Sequence, residues 1–422
     1  MGDVSETPVP ARTVCPRCGL AVVDREPWTT WCTGCDWNVL VGAPEPARGV
    51  LHRCRRRAVD RVGRRVYEDL LHGRPVAAGD RAASLLLDVV AVAVLVGLLL
   101  PGAAAVALAL SPVTPVLRWP GVALLVGLLL AVLPRPTRVR DVVWLSREQA
   151  PAWWSLVDDV AAALATRPPQ RCGVDRQLNA YVRRDGWRDG RVLVYGLALW
   201  SVEAPQERVA TLAHEVGHLR WGDDRRSRVI WSAGQVLVRL VHLLQPSWLE
   251  QAFEDPELSA IEAVSNALRR VVALPFVGLL VLMDRLDARD SQRREYRADL
   301  DSARVAGSAA ARASLLQLLR ADGIGARLQG AARRREDLWS ALAAAPRPPQ
   351  HELARLLRAS ELTGHRADDS HPPTHLRVGL VEGTEQHPTL VVLDTARRTA
   401  IERELAAARA DLGASLTEDL LE

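Results

Sequence analysis

Lysine is absent from this 422-residue chain: all 54 of its Lys-plus-Arg positions are arginine. With alanine, leucine and valine abundant, that absence reads as genomic composition bias and not as a functional signal. Excess charge is also missing. A net charge of +4 is too mild to imply nucleic acid by itself. No apolar run precedes Cys15, so a secretory signal peptide is not expected. What the chain does have is length enough for two or three domains and a substantial core.

The organising stretch is HEVGH, His214 to His218, inside ERVATLAHEVGHLRWGDD. Apolar Val209, Leu212, Ala213, Val216 and Leu219 recur at helical spacing, which predicts a helix from about Gln206 to Trp221 with one buried face. Residues four apart stack one turn from each other, with Cβ atoms about 5–6 Å apart, so His214 and His218 can grip one Zn²⁺. Glu215 is rotated off the ligand line toward the open side, where it suits a general base better than a ligand. The competing reading is a partly buried helix that happens to carry these residues, since HExxH alone is a weak signal.

A catalytic zinc needs a third protein ligand. The HExxHxxGxxH pattern of the metzincins would supply it just beyond the helix, but Trp221 stands where that pattern has glycine and Gly222 comes one residue late. The short-range option fails. The run SQRREYRADLDSARVAG from Ser291 offers Glu295 and Asp299 on one face of a predicted helix. Glu295 can complete a His₂Glu set while Asp299 holds a ligand histidine by its other ring nitrogen. An ordinary solvated helix stays open as the alternative, because Arg293, Arg294 and Arg297 surround these acids.

HEVGH with Gly222-Asp223, then REYRAD, LNAYV from Leu178, RVLVYGLAL from Arg191 and SHPPTHLRV from Ser370 together resemble the M48 family of zinc metallopeptidases, the membrane-embedded group that includes the HtpX heat-shock and CAAX-prenyl (Ste24-type) proteases. The likeness spans roughly 178–378, and the ordered co-occurrence is more specific than any one motif. It implies a mainly α (α+β) gluzincin-type domain with a small β-sheet, Asp223 and Asp299 supporting the ligands, and Asn179 and Ala180 along a substrate cleft. Ordinary strand residues are the alternative for the last two. His371 and Arg377 match the family's His-Pro motif and its following arginine. If they line the cleft they would steady the oxyanion; otherwise they form a Pro-rich turn with Arg377 in a structural ion pair.

At the N-terminus, CPRC (Cys15, Cys18) and CTGC (Cys32, Cys35) are two knuckles whose thiolates can close a structural zinc site, so one structural and one catalytic Zn²⁺ are expected. Two disulfides are the competing pairing and require an oxidising compartment. Trp28, Trp31 and Trp37 either pack this ribbon or form a contact face, and packing is favoured. Arg53, Arg55, Arg56, Arg57, Arg61, Arg64 and Arg65 then lie on a helix with a stripe of Val59, Val62, Val66, Leu70 and Leu71. Such a basic helix suits anionic lipid headgroups.

Ser84 to Leu110 is nearly continuous apolar sequence, broken by Asp88 and by Pro101-Gly102; a second run, Gly121 to Leu133, becomes long enough if it starts near Val116. These read as a transmembrane hairpin. Arginines crowd both outer flanks, which places both ends in the cytoplasm. The run from Val143 reads as one capped amphipathic helix ending before Pro168, NAYV and VLVYG as a β-hairpin with a free edge for an extended substrate, and the apolar runs from Val229 and Val271 as amphipathic or partly embedded helices. A four-span topology stays open. The expected organisation is a ribbon at 1–49, a basic linker helix at 50–82, the hairpin at 83–134, the peptidase domain at 140–390, and a charged helix and tail at 391–422.

The expected function is a multi-pass membrane zinc endopeptidase. Its ribbon and catalytic domain face the cytoplasm, its substrates are membrane or misfolded polypeptides, and its partner surface is the bilayer. Glu215 would take a proton from water and pass it to the leaving amine. The rival from another class is a catalytically silent zinc-ribbon membrane adaptor; a nucleic-acid-binding role is the least favoured.

Overall fold

The computed structural model describes residues 12–23, 27–40, 50–74, 78–136, 138–186, 190–221, 224–244, 260–364 and 371–421. Two units emerge from how the chain packs: Met1–Gly73 with Val139–Arg220 and Arg294–Glu422, and Arg74–Arg138 with Trp221–Arg293.

In the first unit the ribbon is a two-stranded antiparallel sheet, β1 (Arg12–Val14) and β2 (Ala21–Val23), flanked by two tight turns. Cys15, Val22 and Cys32 are buried and Trp37 packs on them as expected, whereas Trp31 serves as a contact instead, its Nε1 donating to the His351 carbonyl at 3.2 Å. The helix α1 (Val50–Leu71) follows. The predicted stripe is realised in Val62, Val66, Leu70 and Leu71, which pack with Tyr296, Leu376 and Leu380. That face is therefore occupied by protein, and the exposed side carries Arg61, Arg64 and Arg65. The side chains of 51–60, with the remaining arginines of that run, lie outside the described residues.

The main sheet has four strands in the order β3 (Val143–Leu145), β4 (Arg171–Asp175), β6 (Gly190–Gly196), β5 (Ala180–Asp185). β6 runs parallel to β4 and antiparallel to β5. It sits in the middle, which is why Val192 to Tyr195 are an unbroken buried apolar run. At its end Gly196 has no room for a side chain: a Cβ would fall 1.9 Å from the Gln177 carbonyl oxygen. Its N–H donates to the Asn179 carbonyl at 2.8 Å, so the close crossing and the hairpin fix each other.

The run expected as one helix from Val143 is in fact strand and then helix. Val143, Trp144 and Leu145 pair with Val174, Gly173 and Cys172, as β-branched and aromatic side chains favour. The helix α5 (Pro151–Ala163) starts only at its N1 proline. Its first turn is capped from far away: the Glu404 carboxylate accepts from the N–H groups of Ala152 and Trp153 at 2.7 and 2.9 Å. Cys172 is an ordinary core thiol, whose pKa burial pushes up to about 12.

α5 buries Trp153, Trp154, Leu156, Val157 and Val160. Trp153, Tyr195 and Trp200 meet at ring-centroid distances of 5.1 to 5.9 Å, the edge and tilted geometries that aromatic quadrupoles favour. Trp200 belongs to the short buried helix α6 (Leu197–Val202), which leads into α7 (Pro205–Trp221). The helix α9 (Ala260–Ala306) ends in this unit, followed by α10 (Ser308–Leu318), α11 (Ala321–Arg333), α12 (Leu338–Ala343), α13 (Gln350–Thr363) and α14 (Thr374–Gly383). The expected charged tail is α15 (Thr395–Glu404) and α16 (Ala406–Leu421), and it contributes Ile401, Leu405 and Ala408 to the main core.

In the second unit, α2 (Ala78–Gly97) and α3 (Leu99–Leu110) make one apolar rod with a break at Leu98. The cause is Pro101, whose ring would meet the carbonyl four residues earlier. α4 (Pro115–Val132) runs back beside α3. Asp80–Leu110 and Pro115–Val132 are long and apolar enough to cross a membrane, and only 11% and 6% of their most apolar windows are buried within the protein. Core helices of a soluble domain would be mostly buried, so the two suggest membrane association. Leu87 and Ala91 pack on Ala233 and Leu237 of α8 (Asp224–Leu244) and on Met283. Asp88, the one charge near the start of the apolar run, meets Arg226 at 2.7 Å.

Candidate metal centre

α7 places its histidines by burying Val209, Ala210, Leu212, Ala213 and Val216 in the main core. Glu207 caps the helix start by accepting from the Ala204 N–H at 2.7 Å, and Arg347 holds that carboxylate with two hydrogen bonds of 2.7 and 3.0 Å. α9 lies alongside. Gly217 faces Ala298, and these small residues let the helices approach closely. Ser302 Oγ donates to the Ala210 carbonyl at 2.7 Å, tying them together.

This packing brings the predicted donors to one point. The His214 and His218 rings stand with centroids 4.8 Å apart and their Nε2 atoms 3.2 Å apart. Glu295 reaches across from α9, with Oε2 3.6 Å from His214 Nε2 and Oε1 3.6 Å from His218 Nε2. Three N and O ligands at the usual zinc bond length in a tetrahedron are separated by about 3.3 Å. The donor set fits a zinc ion in chemistry and in spacing.

Asp299, 2% exposed, sits behind His214 with Oδ1 3.0 Å from Nδ1. Arg377, expected either as an oxyanion donor or in a structural ion pair, makes an ion pair: its Nε and Nη2 grip the two Asp299 oxygens at 2.8 and 2.7 Å. Its Nη2 also lies 3.4 Å from His214 Nδ1. The physical reason is burial, since a guanidinium at 3% exposure must find a carboxylate. His371, half-exposed, makes a short hydrogen bond through Nδ1 to Glu295 Oε2, and it forms a second possible donor set with His214 and Glu295.

Glu215 is buried, and its Oε2 accepts the Val182 N–H of the edge strand β5 at 3.1 Å. Asn179, exposed, and Ala180, buried, stand on or beside the same strand. Asp223, with Gly222, lies outside the described residues.

The charged groups at this point hold one another in their ionised forms. Burial alone would raise the carboxyls of Asp299 and Glu295. Arg377 beside Asp299, and His214 and His371 beside Glu295, instead hold Asp299 below the usual range and Glu295 well below it. Burial opposes a charged His214, yet Asp299 and Glu295 outweigh it and raise its pKa to about 10. His218, by contrast, is driven down to about 4 by burial and by His214, so its nitrogen is free to donate. Burial pushes Glu215 up to about 7.

The cysteine knuckles form a separate cluster. Cys15 and Cys35 sulfurs are 3.6 Å apart, those of Cys18 and Cys32 3.5 Å, and all four lie within 4.8 Å of one another. No disulfide occurs among the described cysteines. Four sulfurs around zinc would be separated by about 3.8 Å, so the cluster fits a closed tetrahedral site. Burial and the crowding of the other sulfurs push the Cys35 thiol up to about 12, which a bound cation would reverse.

Two features had no sequence expectation. One is the contact between Glu215 and Val182. The other is Glu203, fully buried under α7, which accepts from Tyr195 in a short hydrogen bond and from Thr211 Oγ1 at 2.5 Å. A lone acid after the apolar run Leu197–Val202 was the only signal of it.

The family model described as Peptidase family M48 matches residues 149–385. No curated protein and no solved structure matches the chain significantly.

Proposed function

The chain belongs to peptidase family M48, and from that premise we propose that it is a membrane-anchored zinc endopeptidase of the HExxH, gluzincin type. The observation that carries this is the meeting of His214, His218 and Glu295 from two helices at 3.2 to 3.6 Å, with Asp299 behind the first histidine. In this reading those three residues are the ligands, and a bound zinc ion would supply Lewis-acid polarisation of water and of the scissile carbonyl.

The remaining work falls to the chain itself. Glu215 takes the proton from the attacking water and delivers it to the leaving amine. Asp299 and Arg377 fix the tautomer and tilt of His214, which makes Arg377 a positioning residue. His371, at the exposed rim, orients Glu295 and is near enough to donate toward the developing oxyanion. An extended substrate adds to the β5 edge, with Asn179 and Ala180 along its path, and the Val182 N–H that now meets Glu215 is one of the donors on that edge.

The apolar hairpin anchors the enzyme, and the arginine-rich flanks favour a cytoplasmic site. Substrates are then membrane or misfolded polypeptides, as in quality control. The four-cysteine module holds a structural zinc. The test is cleavage of an unfolded model protein by the purified full chain in detergent. Glu215→Gln is expected to lower the rate by about 10²–10⁴-fold while keeping the wild-type metal content. Equal cleavage by wild type and variant, or none by either, would refute the assignment.

A further inference from the structure

The cysteine module is seated on α13, and α13 touches the element that carries Arg377. Arg358 holds both oxygens of Asp36, the residue after Cys35, at 3.0 and 2.8 Å. One turn earlier Arg355, 8% exposed, donates to the Val39 carbonyl at 2.6 Å while Glu352 takes its other nitrogens. Trp31 Nε1 donates to the His351 carbonyl at 3.2 Å. One face of α13 is thus held at successive turns by the second knuckle and the residues just around it.

Those contacts are made from the turn of the second knuckle and the residues that follow it. The N–H of Asp36 donates to the Cys32 carbonyl at 3.1 Å, and Asp36 and Asn38 are both in the left-handed region, at φ 56° and 59°, which Asp and Asn adopt more readily than other side chains. Asn38 Nδ2 donates to the Thr30 carbonyl at 2.8 Å and so ties the turn to the chain before Cys32.

At the far end of α13, Ser360 Oγ lies 3.2 Å from His375 Nδ1 and accepts from the His375 N–H at 3.4 Å. His375 is in the first turn of α14, two residues before Arg377, whose guanidinium holds Asp299 and so His214. The path from sulfur cluster to histidine is continuous and lies within one unit.

We propose that Arg358 and Asp36 are a positioning pair for the metal centre: the closed cysteine knuckle clasps α13, α13 fixes α14, and loading of the cysteine cluster thereby strengthens binding at His214, His218 and Glu295. The inference rests on the zinc-peptidase reading above. Coupling of this kind is reciprocal between the two ions. Neither Arg358 nor Asp36 donates to a metal in this scheme, so substituting them separates coupling from ligation. The pair is half-exposed, which puts the effect at the low end for coupled sites, about fivefold in affinity.

The test is a zinc titration of the full-length protein against a chromophoric chelator, with zinc ion as the probe, on wild type, Arg358→Asp, Arg358→Gln and the charge-keeping Arg358→Lys. In the Asp and Gln variants the cysteine cluster should keep its zinc, the second site should weaken about fivefold, and peptide cleavage should lose kcat with KM unchanged. Arg358→Lys should retain most of the wild-type affinity, which a loss of helix packing alone would not restore. Unchanged affinity in both the Asp and Gln variants, or a loss in Arg358→Lys as large as in Arg358→Gln, overturns the coupling. A wild type that binds no zinc at the histidines overturns the peptidase reading itself, which is a different result.

Discussion

In the cysteine cluster all four donors lie between Cys15 and Cys35, on two tight turns whose backbone hydrogen bonds repeat: Gly19 to the Cys15 carbonyl at 3.0 Å and Asp36 to that of Cys32 at 3.1 Å. The histidine–glutamate cluster instead draws His214 and His218 from α7 and Glu295 from α9, and it is supported by charges, Asp299 and Arg377, brought from further along the chain. The first set surrounds its centre with sulfur. The second has the half-exposed His371 at its rim, and beside it Glu215, which accepts from the β5 edge. A closed set made of local turns suits a structural ion, and an open set mounted on packed helices suits a reacting one. The two also differ in what holds them without metal. The ribbon buries little beyond Cys15, Val22 and Cys32, whereas α7 is mounted on a core that includes Trp153, Tyr195 and Trp200.

That difference is broken most directly by removing one ligand from each cluster. We expect two zinc ions per chain in the wild type, with His214→Ala and Cys15→Ser each losing a different one, as metal analysis of the purified proteins would report. Cys15→Ser should also unfold the ribbon, because a segment with so small a core draws its folding energy from the metal. His214→Ala should leave the helical signal and the cooperative melt of the first unit in place. A His214→Ala protein that keeps both ions would remove the distinction between a closed and an open site.

A smaller effect sharpens the contrast in support. Asp299→Asn keeps the shape beside His214 but removes the charge that Arg377 and the imidazole share. Zinc affinity at the histidines should fall by roughly 10–100-fold, the usual result of losing the carboxylate behind a ligand histidine. The cysteine cluster, which has no such carboxylate among the described residues, should weaken by no more than the coupling of about fivefold in the same competition titration. Equal weakening at both sites would mean that Asp299 serves overall stability and not His214.

The two clusters were also unequally legible in the sequence. Knuckle spacing is local, so the four cysteines could be read as one site directly. The i, i+4 pair His214 and His218 was legible for the same reason, as were Glu295 and Asp299 once the helix over Ser291–Gly307 was inferred. What spacing cannot convey is direction. Arg377 was read either as an oxyanion donor or as half of a structural ion pair, and its pairing with Asp299 could not be chosen in advance, because the need of a buried guanidinium for a carboxylate depends on a fold the sequence does not display. The segment beginning at Val143 was expected to be helical, and its first three residues became a strand because β4 offered them a partner. The docking of the ribbon on α13 rests on Arg355 and Arg358, which look like any surface arginines of a helical, arginine-rich run.

The subtlest distinction lies beneath α7. The histidine-bearing helix is seated on Glu203, whose pKa burial pushes up to about 8, with Thr211 and Tyr195 pulling the other way through their hydrogen bonds. In the unfolded chain the same carboxyl returns to the ordinary value near 4.5. A group whose folded pKa is raised binds its proton more tightly when folded, so its stabilising contribution is full below about 4.5 and is lost as the pH rises through about 8. The melting temperature of the first unit should therefore decline across that window, and Glu203→Gln, which stays neutral, should flatten the decline even if it lowers the melting temperature at every pH. Among its described residues the ribbon has no comparable buried acid, so unfolding followed through its own tryptophans should not share this slope. A decline of equal steepness in Glu203→Gln would locate the pH dependence elsewhere and leave α7 no more sensitive to pH than the cysteine module.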